Sequence, residues 1–192
     1  MKKYIITSLL FLLLGCSISE KEYDIENLIE IDEIYYEKFS KKQVNGKAFR
    51  MFDDKKVILG KIKNRKKEGL HTYWHENGRK KLEVNFKNGK ENGLIRERDS
   101  EGNMKFKGFF IDGKKDGLHT NWCCDGQIIS KVNFKNGKKD GLSLVWHDFS
   151  DQIYYSRIYK DGKLFSSKEW DRDGKMTEWD GTDKSDSFYH YD

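Results

Sequence analysis

The stretch Gly69–Leu70–His71–Thr72–Tyr73–Trp74–His75–Glu76–Asn77–Gly78 is the clearest copy of a unit that repeats along most of this chain. Tryptophan recurs at spacings of 24 or 48 residues, at Trp74, Trp122, Trp146 and Trp170, with Arg98 in the missing position. Glycine keeps the same spacing in three further series: Gly69, Gly93, Gly117 and Gly141; Gly78, Gly102 and Gly126; and Gly89, Gly113 and Gly137. Independent positions that share one period identify a tandem repeat, and repeats of about 20–50 residues build arrays in which each unit packs on its neighbours.

Each unit predicts a β-hairpin. The segment Glu76–Asn77–Gly78 is typical of a tight turn, because Asn and Gly tolerate the positive φ angles that such turns require. A two-residue loop would mix apolar and charged side chains on both faces of the hairpin, whereas a three-residue loop with a glycine bulge separates them, and we expect the second register. It places Leu70, Thr72 and Trp74 on one face with Leu82, Val84 and Phe86, and His71, Tyr73, His75, Lys81, Glu83 and Asn85 on the other.

Successive hairpins are joined by a second turn, Asn88–Gly89–Lys90–Glu91–Asn92–Gly93 and its copies. The predicted fold is therefore all-β, an elongated antiparallel meander of tandem 24-residue β-hairpins over residues 33–181. We expect Ile34–Phe39 to be the first strand. The degenerate copy 47–68, with Ile58 and Ile62 in its apolar positions, is predicted to cap the array, and residues 182–192 to be a flexible acidic tail.

The N-terminus has the pattern of a secretion signal. Lys2 and Lys3 precede the uncharged, mostly apolar stretch 4–14, which is too short to span a bilayer comfortably and runs into Leu13–Leu14–Gly15–Cys16. This ending resembles the lipobox of bacterial lipoproteins, which implies removal of residues 1–15 and acylation of Cys16. A buried apolar start with an incidental cysteine is the alternative. We expect a lipoprotein of the bacterial cell envelope, anchored in the membrane and facing away from the cytoplasm, with residues 16–32 as a tether.

The repeat also resembles a known family. The unit Gly-Leu-x-x-x-Trp-x-x-x-Gly-x(7)-Phe-x-x-Gly-Lys-x-x-Gly is similar to the bacterial variant of the MORN repeat, as found in the YwqK family of antitoxin-like proteins. The similarity covers about residues 34–181 and is strongest over Gly69–Gly141. It implies a non-enzymatic interaction module on a β-ribbon, and it brings no catalytic residues with it.

The charged residues, histidines and cysteines also predict a protein without a catalytic site. Charged residues make up 36% of the chain, but lysines alternate with Asp and Glu, so the sequence predicts no basic stripe and no nucleic-acid partner. His71 and His119 lie two repeats apart, too far to share a metal, and we expect surface histidines. Cys123 and Cys124 are expected to be free thiols near a hairpin tip or to form a disulfide with a partner. We predict no catalytic, cofactor-binding or metal-binding residues, and hence no enzyme.

The aromatic side chains are the candidate binding face. They are Trp74, Trp122, Trp146, Trp170, Phe86, Phe110 and Phe134. Either they serve only the packing of the ribbon, or they also form a binding surface, because a single-layer sheet leaves much of one face uncovered. The expected function is a non-catalytic protein-binding or scaffold role of antitoxin- or immunity-like kind, with an unknown protein partner and a bilayer contact through acylated Cys16. The alternative is binding of lipid headgroups or cell-wall glycans by the aromatic and lysine-rich faces.

Overall fold

The structure is a computed structural model that describes residues 20–40, 42–52, 54–123, 125–147 and 152–179, and the side chains of these residues up to 176. Strands β4 to β15 follow one another across an antiparallel sheet in chain order, and β1 pairs in parallel with β4 at its first edge. The predicted meander of successive hairpins is confirmed. The strands are β1 Glu22–Asp24, β2 Leu28–Ile31, β3 Ile34–Glu37, β4 Gly46–Phe52, β5 Lys55–Lys63, β6 Lys66–Trp74, β7 Lys80–Lys87, β8 Lys90–Arg98, β9 Met104–Ile111, β10 Lys114–Trp122, β11 Ile128–Lys135, β12 Lys138–Trp146, β13 Ile153–Lys160, β14 Lys163–Trp170 and β15 Met176–Trp179, with a 3₁₀ turn at Ile25–Asn27.

The three-residue loop predicted for the hairpins is confirmed. His75 N–H donates to the Arg79 carbonyl at 2.8 Å, and Gly78 N–H donates to the His75 carbonyl at 2.9 Å. The same pair of bonds closes the loops that begin at Asp99, Cys123 and Asp171. Gly78 has a φ angle of 78°, which is the conformation that this loop requires at its third residue.

The predicted arrangement of side chains on the two faces is wrong, because a second bulge follows the loop. Trp74 pairs with Lys80, but the next pair is Tyr73 with Leu82, so Lys81 is an extra residue. One extra residue moves every later side chain of the strand to the opposite face. The same shift occurs beside the tryptophan position in the next three hairpins, between β8 and β9, β10 and β11, and β12 and β13.

The two faces are therefore defined as follows. The core face carries His71 and Tyr73 together with Leu82, Val84 and Phe86 and their equivalents in other units. The leucine face carries Leu70, Thr72 and Trp74 together with Glu83 and Asn85 and their equivalents. This assignment puts the histidines with the large apolar side chains and places the leucines opposite them.

A single row of side chains across the core face forms most of its interior. The row, here called the central row, runs through His71, Val84, Ile95, Gly108, His119, Val132, Ser143, Arg157 and Ser167 on successive strands. Many of its members are almost fully buried, including His119 and Ser143. Aromatic rings on either side cover the row; around His119 lie Phe106, Phe110 and Phe134, with ring centroids 5.5, 5.1 and 4.8 Å away. A one-layer sheet thus acquires a core.

The connections between hairpins are tied to the preceding unit. Asn88 and Gly89 form a two-residue turn with φ angles of 51° and 85°. Asn88 N–H donates to a Glu68 carboxylate oxygen at 2.9 Å, and the equivalent bonds join Asn136 to Asp116 at 3.2 Å and Asp161 to Asp140 at 3.0 Å. Each turn is therefore fixed to a side chain of the unit before it.

Residues 20–32 differ from the predicted tether. Tyr23 and Leu28 are buried in a cluster with Tyr35, Val44, Ala48 and Ile62. Strands β2 and β3 form a small separate hairpin, and Tyr35 N–H donates to the Arg65 carbonyl at 2.7 Å. This segment covers the core face where the array begins, which shields apolar side chains that have no preceding repeat. Ile62 of the degenerate copy is buried, whereas Ile58 is 41% exposed.

The C-terminal end of the array departs from the repeat. Phe165 occupies the position of Gly141 in the previous unit. The bulge between β13 and β14 has one extra residue on β14, whereas the equivalent bulge between β11 and β12 has two extra residues on β12. Strand β15 is the last strand of the sheet and pairs with the second half of β14. The predicted signal peptide, Cys16 and the tail 182–192 lie outside the described residues.

Candidate interaction surfaces

The predicted aromatic binding face is divided between the two sides of the sheet. Alternation along the strands places Trp74, Trp122, Trp146 and Trp170 on the leucine face, and Phe86, Phe110 and Phe134 on the core face. The phenylalanines pack against the buried histidines, with Phe86 5.2 Å from His71 in an edge-on geometry. Their main contacts are therefore internal.

An exposed apolar row crosses the leucine face. It consists of Leu70, Leu94, Phe109, Leu118, Leu142 and Ile158, here called the leucine row; all are exposed except the half-buried Leu94. Asn85 and Asn133 interrupt the row on β7 and β11. Leu94 is a direct cross-strand partner of Phe109, and Leu142 of Ile158. Leu118 is 49% exposed and Leu142 is 44% exposed. The sequence predicted these leucines on the same face as the phenylalanines, whereas the structure places them on the opposite face.

The histidines are structural, which corrects the expectation of surface residues. His71 and His119 are 3% and 2% exposed. Their Nε2 atoms lie 2.7 Å from the Lys61 carbonyl and 2.9 Å from the Phe109 carbonyl, so each Nε2 carries the proton and donates it. Burial lowers the pKa of both imidazoles, because it penalises the charged form. Across the described parts of the chain, no three His, Cys, Asp or Glu side chains converge on a possible metal position.

Lysines gather along one rim of the sheet, although the sequence predicted no basic stripe. The strands that flank the two-residue turns begin or end in lysine, which gives direct cross-strand pairs between Lys63 and Lys66, Lys87 and Lys90, Lys135 and Lys138, and Lys160 and Lys163. Lys114 occupies the same position opposite Ile111. We call these nine side chains the lysine ladder. The signal in the sequence is Lys-x-x-Lys around four of the five two-residue turns, and it becomes a stripe only when the turns are stacked.

Cys123 lies at a hairpin loop as a free thiol. Its Sγ–H donates to Asp125 Oδ1 at 2.6 Å. Burial, and then the neighbouring Asp125 carboxylate, raise the pKa of this thiol, so it is protonated at neutral pH. Cys124 lies outside the described residues.

The described part of the chain contains no helix that is both long and apolar enough to cross a bilayer. No protein-family model matches the sequence, and no curated protein matches it either. The class of protein is therefore defined by the fold itself: a tandem β-hairpin repeat array with a buried central row on one face and an exposed apolar row on the other.

Proposed function

We propose that this protein is a non-enzymatic, protein-binding module of the bacterial cell envelope. The leucine row is the observation that carries the proposal. Its members, such as Leu118 and Phe109, are 49% and 42% exposed although the same sheet has a buried face available. Clustered exposed apolar side chains mark protein interaction sites in soluble domains. The partner is expected to present an elongated apolar surface, because the row crosses the sheet from β6 to β13.

Anchoring at Cys16 would hold this surface at the membrane. The proposal rests here on the apolar stretch and on Leu13–Leu14–Gly15–Cys16. The similarity of the repeat to the MORN variant of the YwqK family supports a binding role of antitoxin- or immunity-like kind rather than catalysis. Metabolic labelling with palmitate tests the anchor: the label should enter the wild-type protein and be lost in Cys16→Ser.

Site-specific photo-cross-linking tests the binding surface. A photoreactive phenylalanine analogue placed at Leu118 in cells should give one discrete cross-linked protein. The same analogue at Lys55, an exposed residue outside the leucine row, is the matched control and should give none. Leu142→Asp in the protein carrying the probe should abolish the product, because it places a charge beside the apolar contact. Equal products from Leu118 and Lys55, or a product that survives Leu142→Asp, would contradict the proposal.

The second candidate function is binding of lipid headgroups or cell-wall glycans by the core face. It is supported by lysines that lie over aromatic rings: Lys67 over Phe86 at 5.2 Å and Lys115 over Phe134 at 5.1 Å. Co-sedimentation with vesicles or with peptidoglycan measures it. Binding that is lost in Lys115→Gln but kept in Leu118→Asp would favour this function over the first.

A further inference from the structure

The lysine ladder concentrates positive charge, most of which lies outside ion pairs among the described residues. Eight of its nine members have no carboxylate within ion-pair distance among the described residues; only Lys160 has one, Asp140 at 3.4 Å. Carboxylates also line this rim: Glu68, Asp116 and Asp140 accept backbone N–H groups of the turns, and Asp112 and Asp161 lie within two of the turns. All of the ladder lysines except Lys66 are exposed to solvent.

The pairing inside the ladder is unfavourable for the fold. Like charges that lie directly opposite one another on adjacent strands destabilise a sheet. Nevertheless four of the five two-residue turns from β5 to β14 carry a direct lysine–lysine pair. The stems of Lys66, Lys114 and Lys138 lie beside Gly89, Gly137 and Gly162, the turn glycines of the next unit. This packing accounts for long side chains at these positions, but not for the pairing of their charged ends. An anionic ligand that bridges the pairs would account for that pairing.

The shape of the ladder indicates what kind of anion fits. The ladder spans ten strands, or about 43 Å at ~4.8 Å between neighbours, and is one hairpin turn wide. Adjacent strands of a sheet twist by about 20°, so a rim across ten strands follows a curve. A flexible chain can follow that curve, whereas a flat bilayer would contact only part of it.

We propose that the lysine ladder binds a linear polymer of phosphate groups along the turn rim of the array. This site is separate from the leucine row and does not depend on the protein-binding function. Each lysine acts as a point charge on one or two phosphates, with no sequence readout. Free polyphosphate and a phosphodiester chain share this chemistry, and the experiment separates them.

The test compares two variants of the full-length protein that lose equal charge. The ladder variant carries Lys87→Gln, Lys90→Gln, Lys135→Gln and Lys138→Gln. The control variant carries Lys→Gln at Lys38, Lys55, Lys105 and Lys175, which are exposed and lie off the ladder. Binding of long inorganic polyphosphate, inorganic triphosphate, a single-stranded oligothymidylate and phosphatidylglycerol vesicles is measured at several salt concentrations.

Wild type should bind a long phosphate chain far more tightly than triphosphate. The slope of log K against log salt concentration should fall by about 3 in the ladder variant, because each neutralised phosphate contributes roughly 0.7, and should change less in the control. The tighter of polyphosphate and oligothymidylate identifies the backbone that fits. Equal losses in both variants, affinity independent of chain length, or binding to vesicles alone would overturn the proposal. Thermal unfolding is the folding check, and the ladder variant should be at least as stable as wild type.

Discussion

Replacing Gly108 with valine tests whether the central row is built from complementary side chains. Gly108 has no side chain where the His119 imidazole lies, and Gly60 stands in the same relation to His71. The other units use different combinations at the equivalent positions, Val84 with Ile95 and Val132 with Ser143. A small residue on one strand of the central row is thus paired with a larger side chain on the next strand.

The expected loss follows from the contact distances. A Cβ atom at position 108 would lie 2.6 Å from His119 Nδ1 and 2.7 Å from His119 Cε1, so the ring must move. Overpacking of this kind costs about 1–3 kcal/mol. The displaced ring also loses its 2.9 Å bond to the Phe109 carbonyl, and an unsatisfied buried acceptor costs about 1–3 kcal/mol. Valine recovers up to about 1 kcal/mol through its preference for strands. We expect Gly108→Val to lower the free energy of unfolding by about 3 kcal/mol.

A double-mutant cycle supplies the decisive measurement. His119→Ser alone should cost about 2–4 kcal/mol, because it leaves a cavity among three phenylalanine rings. Gly108→Val with His119→Ser copies the Val132–Ser143 pair and should be no less stable than His119→Ser alone, a coupling of about 3 kcal/mol. Urea unfolding of the full-length protein, followed by tryptophan fluorescence, measures all four states. Losses that add within about 0.5 kcal/mol would refute the complementary row, since additivity is the behaviour of residues that do not touch.

Three further predictions concern the same framework. Burial lowers the pKa of His71, which faces Lys67 and Glu30, and of His119, which faces Lys115 and Asp116, below 6.5. The unfolded chain therefore binds protons that the folded chain excludes, and the urea midpoint should fall as the pH drops through 6.5. The fall should be smaller in His71→Ile, a variant with the residue that Ile95 supplies in the next unit. Gly117 has a φ angle of 68° with open space around it, so Gly117→Ala should cost about 1–2 kcal/mol and Gly117→Asn less; equal melting temperatures would contradict this. Asn133 Nδ2 donates to the Leu142 carbonyl at 2.8 Å across a bulge, and Asn133→Ala should lose about 1 kcal/mol in thermal unfolding, whereas an unchanged melting temperature would show that the bond contributes nothing.

The sequence was sufficient for the parts of the fold that are encoded locally. The period, the hairpins and the three-residue loops follow from Gly78, Gly102 and Gly126, because a positive φ angle is a local requirement that glycine meets. The order of the strands follows from the short turns, since hairpins joined this closely must be neighbours. These predictions needed no knowledge of contacts between units.

The faces could not be predicted in the same way. Lys81 fits a bulge as well as a regular strand position, so the shift that reverses the faces leaves no mark in the residue pattern. Separating apolar from polar residues favoured buried leucines, yet Leu70 is 50% exposed and His71 is buried. The imidazole is accommodated because Gly60, on the last strand of the preceding hairpin, leaves room for it. That reason lies in a contact between units, which a single repeat does not contain.

The candidate surfaces were hidden for related reasons. The leucine row depends on the reversed faces. The lysine ladder depends on stacking of turns that lie 24 or 25 residues apart, whereas along the chain the lysines alternate with acidic residues. Residues 20–32 looked like a solvated tether because they are acidic, but Tyr23 and Leu28 find a partner surface in the first hairpin. The local sequence shows which residues are adjacent along the chain, but not which distant residues come into contact in the fold.

The bonds from the turns at Asn88, Asn136 and Asp161 to Glu68, Asp116 and Asp140 give three junctions of the array nearly the same geometry. A gene encoding such a chain can gain or lose a whole hairpin by unequal recombination, and the new neighbours meet with the same geometry as the old ones. The number of repeats can therefore change during evolution while the contacts between neighbouring repeats stay the same.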